Sequence, residues 1–208
     1  MTSLFTSPDA WAGGVYEISM EYRLLGSAIA AFKELWACPS LEGCFDDRER
    51  EPRDQKKLSP DSVSPENKIY GVATLPNLKK VPCLSLLFDF NGASKWLQFF
   101  LPVSSLASAY LVGAFPFGDW SPDLKWQKEI NAWLVDIGAH VFQKVPFEIA
   151  LVGFEVELTD GSREKIQREG VPEERFDGLL LPGAAGLQFY PQTTPLFKIG
   201  QGRSPKNN

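Results

Sequence analysis

Histidine is nearly absent from this chain of 208 residues, which contains His140 alone. Most metal sites and most acid–base sites use imidazole, because its pKa lies near neutral pH and its neutral nitrogen binds metals. A single histidine supplies little material for either kind of site. We therefore predict no metal site and no cofactor.

Cysteine is also scarce, and its pattern fits neither a disulfide framework nor a zinc site. Cys38, Cys44 and Cys83 are an odd number, and five residues separate the first two, which matches no usual zinc motif. Residues 1–14 have no basic segment and no long apolar one, so we expect no signal peptide. Three reduced thiols in a cytoplasmic protein are the simplest interpretation.

Positive charge is outnumbered, with 21 Lys and Arg against 26 Asp and Glu and a net charge of −5. A broad nucleic-acid surface needs an excess of basic residues, so no nucleic-acid partner is expected. Residues 96–118 carry no charge, but Pro102 and Pro116 interrupt them and their first part alternates like a strand. We predict that they belong to the core and do not span a membrane.

The length and the 44% hydrophobic content are sufficient for one well-packed domain. We predict a single globular domain over residues 1–208. Residues 46–68 are polar and contain three prolines, so they form a flexible insert that cannot bury enough surface to offset its ordering entropy. The tail from about residue 200 is expected to be disordered.

Alternation and helical spacing predict the main elements. Val15–Tyr22 is expected to be a half-buried strand, with Glu17, Ser19 and Glu21 on its polar face. Residues 27–37 and 121–143 have apolar residues at helical spacing, and Ser121 followed by Pro122 is typical of a helix start. Further strands are expected at 69–75, 147–158, 179–181 and 187–190, and a second polar loop at 159–177.

A hairpin is predicted around Asn91 and Gly92, two residues that tolerate the positive φ of tight turns. Its core face is expected to carry Leu84, Leu86, Phe88 and Phe90 on the first arm, and Leu97, Phe99 and Leu101 on the second. Strands joined by tight turns, with two helices inserted far apart, indicate the α+β class. We expect a mainly antiparallel sheet with two main helices packed on one face.

Two arrangements could support catalysis. Asp89, Glu155 and Glu157 lie on predicted strands, and if those strands were neighbours the three carboxylates could do acid–base work or hold a divalent cation. Asp136 precedes His140 by one helical turn and could orient its imidazole. The alternative interpretations are a solvated sheet face for the first set and an exposed helix pair for the second.

The aromatic residues of one segment could form a binding surface, and they are Phe115, Phe117, Trp120 and Trp126. Rings on a loop are typical of protein–protein contacts, although they could also fold back onto the core. We predict a soluble protein that does not catalyse a reaction and that binds another protein, in a neutralising, immunity-type or regulatory role. The alternative is a small metal-dependent or carboxylate-based hydrolase. Self-association into a homo-oligomer is compatible with both.

Overall fold

An eight-stranded antiparallel sheet is the centre of the fold. The computed structural model describes residues 4–62, 67–90, 92, 94–113, 125–158, 162–184 and 186–194. The strands are β1 (Val15–Tyr22), β2 (Leu41–Phe45), β3 (Ile69–Thr74), β4 (Lys80–Phe90), β5 (Ser94–Pro102), β6 (Ala150–Phe154), β7 (Gly178–Gly183) and β8 (Gly186–Tyr190). They follow the order β2-β3-β4-β5-β1-β6-β7-β8, and each neighbouring pair is antiparallel. The predicted antiparallel sheet of a mixed α and β protein is confirmed.

Four α-helices accompany the sheet in the described part of the chain: α1 (Leu25–Trp36), α2 (Val103–Ala109), α3 (Lys125–Phe142) and α4 (Ser162–Glu169). The sequence predicts α1 and α3, and the apolar stripe of α3 is buried from Trp126 to Val141. The expected helix start at Ser121 lies outside the described residues. In the ranges that the structure describes, no helix combines the length and apolar character needed to cross a membrane.

β1 lies in the middle of the sheet, between β5 and β6, and both of its faces are buried. The prediction of a half-buried strand is therefore wrong. One side, here called the core face, carries Tyr16, Ile18, Met20 and Tyr22, which share the main hydrophobic cluster with side chains of α1 and α3. The other side, here called the cleft face, carries Glu17, Ser19 and Glu21, which are also buried.

The β4–β5 hairpin is confirmed, and so is the predicted core face of its second arm, where Leu97, Phe99 and Leu101 are buried, but the predicted core face of its first arm is wrong. Leu84 pairs with Phe100, so residues of equal parity oppose each other across the three-residue connection. The core face of β4 consequently carries the buried residues Val81, Cys83, Ser85 and Leu87. Leu84 lies on the cleft face, and so does Phe88, which is 43% exposed. A register shift of one residue turns every side chain of a strand to the other face.

β6 ends earlier than predicted, at Phe154, and the chain turns at Glu155, where φ is 44°. Glu155 and Glu157 therefore follow the strand and do not share one of its faces. The next region is predicted to be a polar loop but contains α4. Ile166 is the single apolar residue of this helix, so the sequence lacks the apolar stripe by which an amphipathic helix is recognised.

The described part of the predicted insert has two short 3-10 turns. It is tied to the sheet, because the N–H of Leu58 donates to the carbonyl of Cys44 in β2. β2 itself is a strand that the sequence did not predict. The flexibility of the insert, the single-domain organisation and the disordered tail stay predictions, and residues 195–208 lie outside the described part.

Candidate functional site

A cleft of about 800 Å³ opens on the cleft face of the sheet, between α4 and the strands β6 and β7. Its floor is apolar, because Ile149, Leu151 and Leu179 form a small hydrophobic cluster with the fully buried Trp96. Ile166 of α4 packs against this cluster and lines one wall. Clefts of this size, with an apolar floor and a few polar groups, are typical of binding sites.

α4 is held over the strands by an ion pair and an apolar contact. Arg163, in the first turn, pairs with Glu148, which also pairs with Arg23 at 3.3 Å between Nε and Oε1. Ile166 follows Arg163 by three residues and therefore lies on the same side of the helix. These two residues explain how a strongly charged segment of eight residues folds over an apolar surface.

The rim of the cleft is acidic. Five carboxylates line the cleft against one lysine and one arginine, namely Glu155, Glu157, Glu169, Glu174 and Asp177 against Lys165 and Arg175. The guanidinium of Arg175 donates to the backbone carbonyls of Pro172 and Pro191. Its hydrogen bonds thus support the rim itself. The cleft presents an excess of negative charge around an apolar floor, a combination that attracts cations.

Glu17, Gly153 and Asp177 form a row across three strands at one end of the cleft. Glu17 of β1 is opposite Gly153 of β6, and Asp177 precedes Gly178, the partner of Val152. A Cβ on Gly153 would lie 2.8 Å from Oδ1 of Asp177. The glycine therefore leaves the space that the Asp177 carboxylate occupies, and two carboxyl groups flank it.

Asp177 lines the cleft with a partly desolvated carboxylate. The N–H of Glu157 donates to it, whereas its Oδ1 is enclosed and has no hydrogen-bond partner among the described residues. Burial raises the pKa of Asp177 from 3.8 to about 6, although the hydrogen bond from Glu157 opposes this shift. The group therefore changes charge near neutral pH.

Glu17 is only 3% exposed and accepts three hydrogen bonds. The Ser19 hydroxyl donates to Oε2 at 2.7 Å, the Gln98 amide donates to the same oxygen at 3.3 Å, and the N–H of Val156 donates to Oε1 at 3.2 Å. Burial outweighs these bonds and raises the pKa of Glu17 to about 7, with the charge of Asp177 contributing. The two carboxyl groups are thus electrostatically linked.

Asp89 does not join this cluster. It is opposite Lys95, which is in turn opposite Tyr22 at the end of β1, whereas the N–H of Glu155 bonds to Val15 at the start of β1. The length of β1 separates the two ends by about 23 Å at the usual rise per residue. Asp89 therefore does not converge with Glu155 and Glu157, which neighbouring strands would have allowed, although Glu155 and Glu157 do line one cleft.

His140 and Asp136 both lie on α3, but the structure does not join them. Asp136 is exposed, and in the described residues no hydrogen bond or ion pair connects it to the imidazole. Nε2 of His140 is buried without a hydrogen-bond partner in the same part of the chain. The hydrogen bond by which Asp136 would orient the His140 imidazole as a base is therefore not formed.

Of the four predicted surface aromatics, only Trp126 can be located, because Phe115, Phe117 and Trp120 lie outside the described residues. Trp126 is 4% exposed and packs against Tyr16, with ring centroids 5.4 Å apart. It is thus a core residue of α3 and does not belong to an exposed surface.

Sequence reasoning missed Asp177 and Glu169, which line the cleft, and the buried Glu17, which is opposite Gly153. Glu17 alternates with apolar residues, a pattern that usually indicates a solvated strand face. Asp177 and Glu169 lie in a stretch predicted to be a loop. The available signal is Gly153, because a glycine inside an apolar strand marks a close approach of another group.

Metal ligands are not gathered at the cleft or elsewhere in the described ranges, where no three His, Cys, Asp or Glu side chains could hold an ion. Cys38, Cys44 and Cys83 are buried and unpaired. A scan against protein-family models, a search of curated proteins and a search of solved structures each gave no match.

Proposed function

We propose that this protein acts by binding another protein, and that the cleft receives a basic, partly apolar segment of that partner. The observation that carries the proposal is the arrangement of five carboxylates around an apolar floor. Apolar side chains of the segment would gain by burial against Ile149, Leu151 and Leu179. Lysine or arginine side chains would meet the rim, where complementary charge increases the association rate and the specificity.

The role that fits such a site is neutralising or regulatory. An acidic protein that covers a basic surface of its partner blocks the access of other ligands to that surface. We infer that α1 and α3 cover the core face of the sheet, which leaves the cleft face for the partner. It includes a cytoplasmic location, to which three buried, unpaired cysteines are suited.

The test uses a short fluorescein-labelled peptide of alternating lysine and leucine, with an alternating glutamate–leucine peptide as the charge control. Fluorescence anisotropy is expected to show saturable binding of the basic peptide alone, weakened by salt. Replacing Glu157→Gln together with Glu174→Gln should raise Kd roughly three- to tenfold, as loss of two exposed ion pairs does.

The matched control is Asp136→Asn with Glu164→Gln, which removes two exposed carboxylates that do not line the cleft. It should leave Kd unchanged. Equal weakening in both double variants would mean that net charge governs binding, and it would reject the cleft as the site. Absence of binding by the basic peptide would reject the proposed ligand class.

A second candidate function, a carboxylate-based hydrolase, is favoured by one observation. Asp177 and Glu17 have pKa values raised to about 6 and about 7 and flank Gly153 beside the cleft. Such values are suited to proton transfer at neutral pH. Nitrophenyl glycosides, esters and phosphates would be assayed from pH 5 to 8. Turnover lost in Asp177→Asn and kept in Asp136→Asn would support hydrolysis, and no turnover would reject it.

A further inference from the structure

The chain that follows β8 is bonded to the rim of the acidic cleft as far as it is described. The backbone N–H groups of Thr193 and Thr194 donate to the carbonyl of Arg175 at 2.9 and 3.0 Å. The hydroxyl of Thr193 donates to the carbonyl of Glu173 at 2.8 Å and accepts from the N–H of Arg175 at 2.9 Å. The chain beyond β8 is thus attached to the rim of the cleft up to Thr194.

The residues that follow have the composition that the cleft is proposed to bind. Residues 195–208 contain Lys198, Arg203 and Lys206 and no acidic residue. Their first part adds Leu196, Phe197 and Ile199. In an extended peptide alternate side chains point to opposite sides, so Phe197 and Ile199 would face one way and Lys198 the other.

We propose that residues 195–208 occupy the cleft of their own chain and compete there with the basic segment of the partner. This regulation rests on the proposed function of the cleft. Fourteen extended residues reach about 46 Å, far more than the length of about 12 Å of the eight-residue helix α4 that bounds the cleft. Attachment at Thr194 gives the segment an effective concentration in the millimolar range, so even weak complementarity excludes a dilute competitor.

Paramagnetic broadening in NMR tests whether the segment occupies the cleft. The full chain carrying Ser204→Cys is labelled with a thiol-reactive nitroxide, and the buried Cys38, Cys44 and Cys83 favour labelling at position 204. The amide signals of Ile166, Glu169 and Asp177 are expected to broaden. Tethering alone also gives some broadening, so the same label is placed in the Lys198→Glu, Arg203→Glu chain. Equal broadening in both chains would overturn the proposal.

Competition is measured with the same lysine–leucine peptide. The Lys198→Glu, Arg203→Glu chain is expected to bind it about tenfold more tightly than the parent chain. The control is Lys56→Glu with Lys128→Glu, which makes the same change in net charge at exposed sites outside the tail. Equal tightening in the control would assign the effect to net charge and overturn the proposal.

The two proposals fail in different ways. Peptide binding of equal strength by the parent and the tail variant would reject occupancy by residues 195–208 and retain the cleft as a partner site. No peptide binding by either chain, together with selective broadening in the parent, would reject the partner class and retain the intramolecular contact. Absence of peptide binding by either chain, together with equal broadening in the two labelled chains, would reject both proposals.

Discussion

Asp89 and Asp177 both lie beside the end of a strand, yet their carboxylates have opposite properties. Asp89 is exposed and accepts hydrogen bonds from Lys95 at 2.7 Å and from the N–H of Gly92 at 2.9 Å. These bonds lower the pKa of Asp89, chiefly the one from Lys95. At Asp177, burial raises the pKa, and one carboxylate oxygen has no hydrogen-bond partner among the described residues.

The two carboxylates differ in how their charge is compensated. At the hairpin end, charge is compensated by a neighbouring lysine, so the carboxylate supports a turn and little else. Beside Gly153, the carboxyl groups of Glu17 and Asp177 are desolvated, a condition that costs stability and is typical of sites that bind or react. Substitutions at Glu17, Asp177, Gly153 and Asp89 test this contrast.

Glu17→Gln is expected to have the largest effect. The pKa of Glu17 in the folded protein is about 7, above its ordinary value of 4.5. The protonated Glu17 carboxyl therefore contributes its full stabilisation of the folded protein below about pH 4.5. This contribution to the unfolding free energy is lost as the pH rises through 7. Because glutamine does not ionise, the variant should gain roughly 2–3 kcal/mol in unfolding free energy relative to the parent between pH 5 and 8.

Urea denaturation followed by tryptophan fluorescence measures this change. The control is Asp136→Asn, which removes one exposed carboxylate outside the cleft and so tests the effect of net charge alone. A constant difference between Glu17→Gln and the parent would show that Glu17 does not ionise with a raised pKa, and the contrast between the two ends would be weakened.

Asp177→Asn should act in the same direction with a smaller magnitude. The pKa of Asp177 is raised from 3.8 to about 6, so the parent loses stability as the pH rises from 4 to 7. Partial exposure reduces the expected relative gain of the variant to roughly 1–2 kcal/mol. The pH dependence of thermal unfolding measures it. A variant that loses stability relative to the parent over this range would contradict the assignment.

Gly153→Ala should destabilise the protein by about 1 kcal/mol, because the added methyl would lie 2.8 Å from Oδ1 of Asp177. In an Asp177→Ala background the same change should cost less, since the obstructing carboxylate is gone. A double-mutant cycle gives the coupling. Gly26→Ala is the control, because nothing lies within 4 Å of its added methyl. Purely additive effects would refute the contact.

Asp89→Asn should have the smallest effect and the opposite sign. Its pKa is lowered in the folded state, so it stabilises the protein above its ordinary pKa of 3.8, and this contribution is lost as the pH falls through the lower folded value. The variant should be slightly less stable than the parent at pH 7, and this difference should shrink as the pH falls below 3.8. A variant that is less stable only in acid would reverse this interpretation.

The fold is predictable from the sequence wherever one periodicity dominates. Alternation predicts β1 and the β4–β5 hairpin, and the apolar spacing from Trp126 to Val141 predicts α3. The buried side of β4 is not predictable in this way, because it depends on whether the hairpin connection has an even or odd number of residues. The sequence around Gly92 is compatible with both.

The cleft is less predictable, because its parts meet only through tertiary packing. Glu155 and Glu157 are prominent in the sequence, but their neighbours in space come from α4 and from the chain before β7. α4 has one apolar residue, so nothing in its sequence indicates that it covers a sheet. Glu17 looks solvated because its strand alternates, but in the fold Gln98 of β5 and the chain after β6 at Val156 both bond to its carboxylate.

The position of β1 has a consequence for synthesis on the ribosome. β1 is made first, but its neighbours in the sheet are β5 and β6, at Ser94–Pro102 and Ala150–Phe154. β1, with the buried Tyr16 and Tyr22, therefore has no sheet neighbour until β5 is translated, and it lacks the second neighbour until β6 follows. Pairing so distant in sequence slows folding, and a chaperone that shields the first strands of nascent chains would raise the yield of this protein more than that of one whose sheet grows outward from its N-terminus.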